Sequence, residues 1–205
     1  MVLRINPKNS RVLWWGVFLG SLLPLVLLIY DAATNRLGAD PAKEIVLELG
    51  LWAAIFLWVD LWVSPLKRRL GLGWLIRFRR LLGLYGFFYA ILHLVAFATF
   101  MVGWRADLLF QELSERPYII MGALAVLLLI PLVVTSTKGM QRRLGKSWKM
   151  LHRLVFVISI LVMGHIIWMI RADYLDAIVF GILLSGALVE RMSLKWGPSQ
   201  TKSVL

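Results

Sequence analysis

The run LLGLYGFFYAILHLVAFATFMVGW, Leu81–Trp104, holds 24 residues without a charge and a single histidine, His93. A bilayer's hydrocarbon core is about 30 Å thick and takes roughly 20 apolar residues to cross as an α-helix. The run therefore reads as a transmembrane helix, and the rest of the chain is parsed outward from it. Four further apolar runs have similar length: Val12–Tyr30, Ile45–Val63, Pro117–Thr137 and Trp148–Ile170. The second carries Glu48 and Asp60, and the last carries His152 and His165. A sixth, Tyr174–Val189, is the weakest, being short and holding Asp176. It follows the fifth through Arg171-Ala172-Asp173, a turn that suits an antiparallel hairpin. The first run is too long for a signal-peptide core and has no small-residue cleavage site after it.

Composition agrees with this parsing. The chain is 60% hydrophobic and 17% charged, with a mean hydropathy of +0.78. Soluble domains are roughly 45–50% apolar. The surplus has to face lipid, which excludes a soluble enzyme, and disorder needs far lower hydrophobicity. There is no cysteine, so disulfides, thiolate metal sites, iron–sulfur clusters and thiol catalysis are excluded. No P-loop, dinucleotide fingerprint or nucleophile elbow appears; Gly71 and Gly73 sit in a basic loop without the context such motifs need. No internal repeat is apparent, and the whole chain, 1–205, reads as a single membrane domain with short connections.

Charge gives the orientation. The net charge of +12 reflects 23 Lys and Arg against 11 Asp and Glu. In the six-helix parsing, 18 of the basic residues fall on one side, including Arg4, Lys67, Arg77, Arg79, Arg80, Lys146 and Arg191. The other side has five: Arg36, Lys43, Arg105, Arg116 and Arg171. By the positive-inside rule both termini are cytoplasmic. The charge is then explained by cytoplasmic loops and anionic headgroups rather than by nucleic acid. The expected fold is an all-α, six-helix bundle, N-in and C-in.

Ionisable side chains inside a membrane point to function. His93 and His165 come from helices that both start at the cytoplasm, and they reach similar depths, in the outer half of the bilayer. Two neutral imidazoles so placed can ligate one haem iron axially, in a bundle core lined by apolar and aromatic side chains. The plainer reading of either is a hydrogen bond between helices. His152 lies one turn into the fifth helix, near the surface, and 13 residues on an ideal helix leave it about 140° from His165. Gly83, Gly86 and Gly164 either let a flat macrocycle approach or serve close helix packing. The three histidines do not converge on one ion, and no membrane carboxylate near His93 completes a hydrolytic metal site. A competing function is a small transporter or proton carrier using these histidines and Asp60, though the broken-helix pairs common in transporters are absent.

The stretch Leu75–His93, LIRFRRLLGLYGFFYAILH, resembles the YedZ/MsrQ family, as does Trp148-Lys-Met-Leu-His152-Arg-Leu with His165 following thirteen residues after His152. The resemblance implies a ferric-reductase-like transmembrane domain in a bacterial inner membrane. It implies an electron-transfer subunit rather than the catalytic one, carrying haem b and FMN. Electrons would come from the quinone pool or a cytosolic flavin reductase. They would leave to a periplasmic molybdopterin-dependent methionine sulfoxide reductase that repairs oxidised proteins. The oxidase relatives place two histidines on each of the third and fifth helices. Here Arg79 stands where the second ligand of the third helix would be, so one haem, on His93 and His165, is implied. His152 belongs to a weaker second haem or lies by the flavin. Arg77, Arg79 and Arg80, with Trp148, suit a flavin phosphate and ring or haem propionates; the plain alternative is a positive-inside surface with an interfacial Trp.

Overall fold

The computed structural model describes residues 7–169 and 175–196, and among them the secondary structure is entirely helical. The long elements are α1 (Pro7–Ala33), α2 (Pro41–Leu70) and α3 (Arg79–Ala96). After α3 come α4 (Ala106–Glu115), α5 (Pro117–Val134), α6 (Lys138–Leu144), α7 (Lys146–Leu151), α8 (Leu154–Met169) and α9 (Leu175–Trp196). Among the described residues, five stretches are long and apolar enough to cross a membrane: Arg11–Ala33, Pro41–Leu70, Arg79–Met101, Pro117–Val134 and Lys146–Met169. The protein is a multi-pass membrane protein. Large apolar side chains lie open on the outside, among them Leu19, Leu23, Val26 and Ile29 on α1, and Leu127 on α5. A soluble protein rarely tolerates so extended an apolar exterior.

α2 is the central element. Asp40 caps it by accepting the Lys43 N–H at 3.1 Å, Pro41 occupies its first turn, and Gly71 ends it in the left-handed region at φ 67°. One side of α2 packs on α3 and α1 around Phe56, Tyr85 and the fully buried Tyr89. Its other side packs on α5, α8 and α9 around Ala54, Trp58, Leu61, Ile158 and Phe180. The Tyr89 hydroxyl accepts from Leu25 N–H at 3.2 Å and donates to the Ser21 carbonyl at 2.8 Å. It bridges the α1 backbone ladder beside Pro24, where the helix has lost a donor. α9 is fastened to α2 by indole N–H groups: Trp58 donates to Phe180 O at 2.8 Å and Trp62 to Leu183 O at 3.0 Å. Arg68 on α2 makes a two-pronged ion pair with Glu190 on α9.

Several sequence boundaries shift. The weak sixth run is a 22-residue helix; its expected hairpin turn, Arg171–Asp173, and the Asp176 side chain lie outside what is described. The fourth run stops at Val134, where the Thr135 hydroxyl turns back onto the Pro131 carbonyl at 2.6 Å. The fifth run is not one helix: α7 ends at Leu151, and α8 begins at Leu154 after a turn at His152 and Arg153. The connection expected after Trp104 holds the amphipathic helix α4, with Phe110 exposed.

Candidate haem-ligand site

His93 on α3 and His165 on α8 are brought together. Their ring centroids are 6.3 Å apart and their planes lie 87° from each other. The His93 Nδ1 is 2.8 Å from the Val46 carbonyl of α2, and the His165 Nδ1 is 2.7 Å from the Tyr118 carbonyl of α5. A carbonyl only accepts, so each Nδ1 carries the proton and donates it. Each Nε2 is left with its lone pair. This is the arrangement a metal-binding imidazole needs, with the far nitrogen's hydrogen bond fixing tautomer and ring direction. An imidazole nitrogen binds a transition metal at about 2.0–2.1 Å, so two rings on opposite sides of one ion have centres about 6.4 Å apart. The observed separation is of the length at which His93 and His165 would hold one iron between them. Among the described residues no three His, Cys, Asp or Glu side chains gather as a metal group. A four-ligand protein site is therefore not built here, whereas haem requires only two side chains.

The two halves of the site are built alike. Val46, Gly50 and His93 correspond to Tyr118, Gly122 and His165, each pair standing 72 residues apart in sequence. Gly50 lies against the His93 ring and Gly122 against the His165 ring. The α2–α3 and α5–α8 pairs are the most extensively packed helix pairs of the fold. Between their members, Arg68–Trp74 and Arg142–Trp148 share the pattern RRLGxxW, and Gly71 and Gly145 both take positive φ, 67° and 51°. The two halves thus correspond in geometry, the helix positions at an offset of 72 residues and the loop motif at 74, a correspondence not apparent by eye in the sequence. Sequence reading missed Val46, Gly50, Tyr118 and Gly122. The glycines named from sequence behave differently. Gly83 faces open space, Gly86 abuts the α2 backbone, and Gly164 abuts the Met121 sulfur.

His152 is in a different state. Its Nε2 is 3.1 Å from the Thr135 Oγ1. That hydroxyl's proton is committed to the Pro131 carbonyl, so His152 donates and its Nε2 is occupied. The Trp148 ring stacks on it at 4.0 Å, and the Trp148 indole N–H donates to the Thr135 carbonyl at 2.9 Å. The ideal-helix angle between His152 and His165 does not apply, because the helix breaks at His152.

The basic residues named from sequence are not gathered around one point. Arg79 turns toward α2: its Nε is 3.3 Å from Asp60 Oδ1, and its Nη1 donates to Ser64 Oγ at 3.1 Å. Arg77 donates to the Trp74 carbonyl at 3.0 Å, and Arg80 is exposed. A small cleft between α2, α3, α8 and α9 is lined by Ser64, Arg68, Arg79, Phe156, Glu190 and Arg191. Beside it lies a cavity of about 300 Å³ lined by Arg153, Phe156, Leu188, Arg191 and Met192.

A helical membrane domain with paired imidazoles on two of its helices is the architecture of a transmembrane redox component. Residues 46–163 match the family described as ferric reductase like transmembrane component. The chain is 38% identical over 193 residues to the protein-methionine-sulfoxide reductase heme-binding subunit MsrQ of Xanthomonas oryzae pv. oryzae (strain MAFF 311018), covering 91% of this chain and 88% of that one. It is 40% identical over 199 residues to the MsrQ of Herminiimonas arsenicoxydans, covering 96% and 91%. It is 37% identical over 209 residues to that of Azospira oryzae (strain ATCC BAA-33 / DSM 13638 / PS), covering 99% and 89%. No solved structure matches it. The chain belongs to the YedZ/MsrQ family of ferric-reductase-like transmembrane components.

Proposed function

We propose that the protein is the haem-b-carrying electron conduit of a methionine sulfoxide reductase system in a bacterial inner membrane. The observation that carries this reading is the pair of Nδ1-anchored imidazoles 6.3 Å apart. The relatives' description as heme-binding subunits supports it. Haem supplies reversible one-electron chemistry in an apolar medium. His93 and His165 would hold the iron from two helices. The Val46 and Tyr118 carbonyls keep both rings in the ligating tautomer. Arg79, fourteen residues before His93, carries a guanidinium rather than an imidazole and is paired with Asp60, so it is not a second ligand. One haem is therefore assigned to the chain.

The membrane topology goes with this reading. α9 is taken as the sixth span, with both termini cytoplasmic, which accounts for the 18-to-5 division of basic residues. His93 then lies about 21 Å from the cytoplasmic end of α3 at 1.5 Å per residue, toward the outer face. Electrons enter from the quinone pool or a cytosolic flavin reductase. FMN held at the basic cytoplasmic end and haem held by His93 and His165 would supply the one-electron steps between that donor and a periplasmic molybdopterin-dependent methionine sulfoxide reductase. Arg77, Arg79, Arg80 and Trp148 border that end, and the cavity flanked by Arg153 and Arg191 adds an apolar slot beside Phe156. Guanidinium forks suit a phosphate dianion.

A visible spectrum of the purified protein tests the reading. The expected result is a red protein with low-spin b-type bands that sharpen on reduction. A colourless protein overturns it.

A further inference from the structure

The repeated geometry does more than supply two ligands. In each copy a helix carbonyl anchors the imidazole Nδ1, and a glycine one turn further along the same helix lies under the ring: Val46 with Gly50 on α2, Tyr118 with Gly122 on α5. At Gly50 a Cβ would lie 2.9 Å from His93 Nδ1 and 3.0 Å from its Cε1. At Gly122 it would lie 3.0 Å from His165 Nδ1 and 3.1 Å from its Cε1. These are the ring atoms nearest the anchoring hydrogen bond, so the ring cannot yield without bending that bond or turning its plane. Each imidazole is confined on one side by a bare helix backbone and tied at Nδ1 to the same helix. With two such units facing each other, the ring planes are held 87° apart.

We propose that Gly50 and Gly122 are paired positioning residues, which hold the two axial imidazoles of His93 and His165 crosswise on one haem iron. The proposal rests on the haem reading above and adds to it a definite ligand geometry. The consequence is electronic. Parallel imidazole planes split the iron orbitals that π-bond with the ligands, and the ferric low-spin form then gives a rhombic spectrum with three resolved features. Crossed planes leave those orbitals almost degenerate, and the spectrum becomes strongly anisotropic, dominated by one low-field feature. Crossed ligands also donate less unevenly to ferric iron, so the angle bears on how readily the haem accepts an electron.

The experiment is low-temperature electron paramagnetic resonance of the oxidised full-length protein, with haem content measured on the same samples. The wild-type protein is expected to give the strongly anisotropic signal. Gly50→Ala and Gly122→Ala are each expected to keep haem while shifting that signal toward the rhombic form, and by similar amounts because the units are equivalent. Gly83→Ala is the control: it lies on the same helix as His93, but a Cβ there meets nothing within 4 Å. Its signal should equal that of the wild type. Alanine is the better helix former in every case, so helix propensity cannot produce the shift. The wild-type spectrum is decisive without any variant. A rhombic wild-type signal overturns the crossed geometry, and an unchanged signal in both Gly50→Ala and Gly122→Ala overturns the glycines' role. A wild-type protein without haem instead overturns the haem reading itself, so the two failures are distinct.

Discussion

Arg79 on α3 lies against Asp60 on α2, its Nε 3.3 Å from Oδ1, with the carboxylate side chain only 11% exposed and the arginine side chain 39%. The contact is an ion pair without hydrogen-bond alignment at Oδ1, while the same guanidinium donates to Ser64 through Nη1. A buried carboxylate so placed depends on its partner. Removing one member of a fully buried pair costs about 3–5 kcal/mol, and the partial exposure of Arg79 brings the expected cost to about 1–3 kcal/mol. Arg79→Ala should lower the thermal midpoint in detergent, and Asp60→Asn added to it should restore most of the loss. A double variant no more stable than Arg79→Ala would contradict the pairing.

The orientation of the bundle is tested by fusing a reporter after Leu205. With six spans and the basic loops inside, the fusion should report a cytoplasmic C-terminus. A periplasmic readout would remove α9 from the count of spans or reverse the bundle.

Part of this architecture was legible in the sequence, and part was not. The long apolar runs located the five membrane-length stretches because lipid burial leaves no other explanation for them. The pairing of His93 with His165 followed from their matching depth. Their anchors did not follow, since Val46 and Tyr118 act through backbone carbonyls 47 residues away, and a carbonyl leaves no trace in residue type. Gly50 and Gly122 looked like ordinary helix glycines. The break at His152 carries no proline or glycine; it coincides with the docking of His152 and Trp148 onto Thr135, a tertiary contact. α4 escaped notice because ten amphipathic residues are too few to register against the spans on either side. Arg77, Arg79 and Arg80 are close in sequence but point to different neighbours, so proximity along the chain overstated their unity as a cluster.

The proposed flavin site at the basic end can be tested separately from the proposed haem site. Arg77 and Arg80 are exposed, so Arg77→Ala/Arg80→Ala should leave the fold intact. Each charge-assisted phosphate contact is worth roughly 1.5–3 kcal/mol, so losing even one should weaken flavin affinity by about tenfold or more. Flavin and haem per polypeptide are measured together. Flavin should fall while the haem spectrum stays normal. Loss of haem with flavin unchanged would assign these arginines to propionates.

The most direct test of the central claim compares haem content in three single variants, His93→Ala, His165→Ala and His152→Ala. The first two each remove a proposed iron ligand whose Nδ1 is tied to a carbonyl, whereas the His152 Nε2 already donates to Thr135. His93→Ala and His165→Ala are each expected to lose most of the low-spin b-type absorbance, and His152→Ala to retain most of it. A protein bleached by His152→Ala but not by His93→Ala would contradict the assignment.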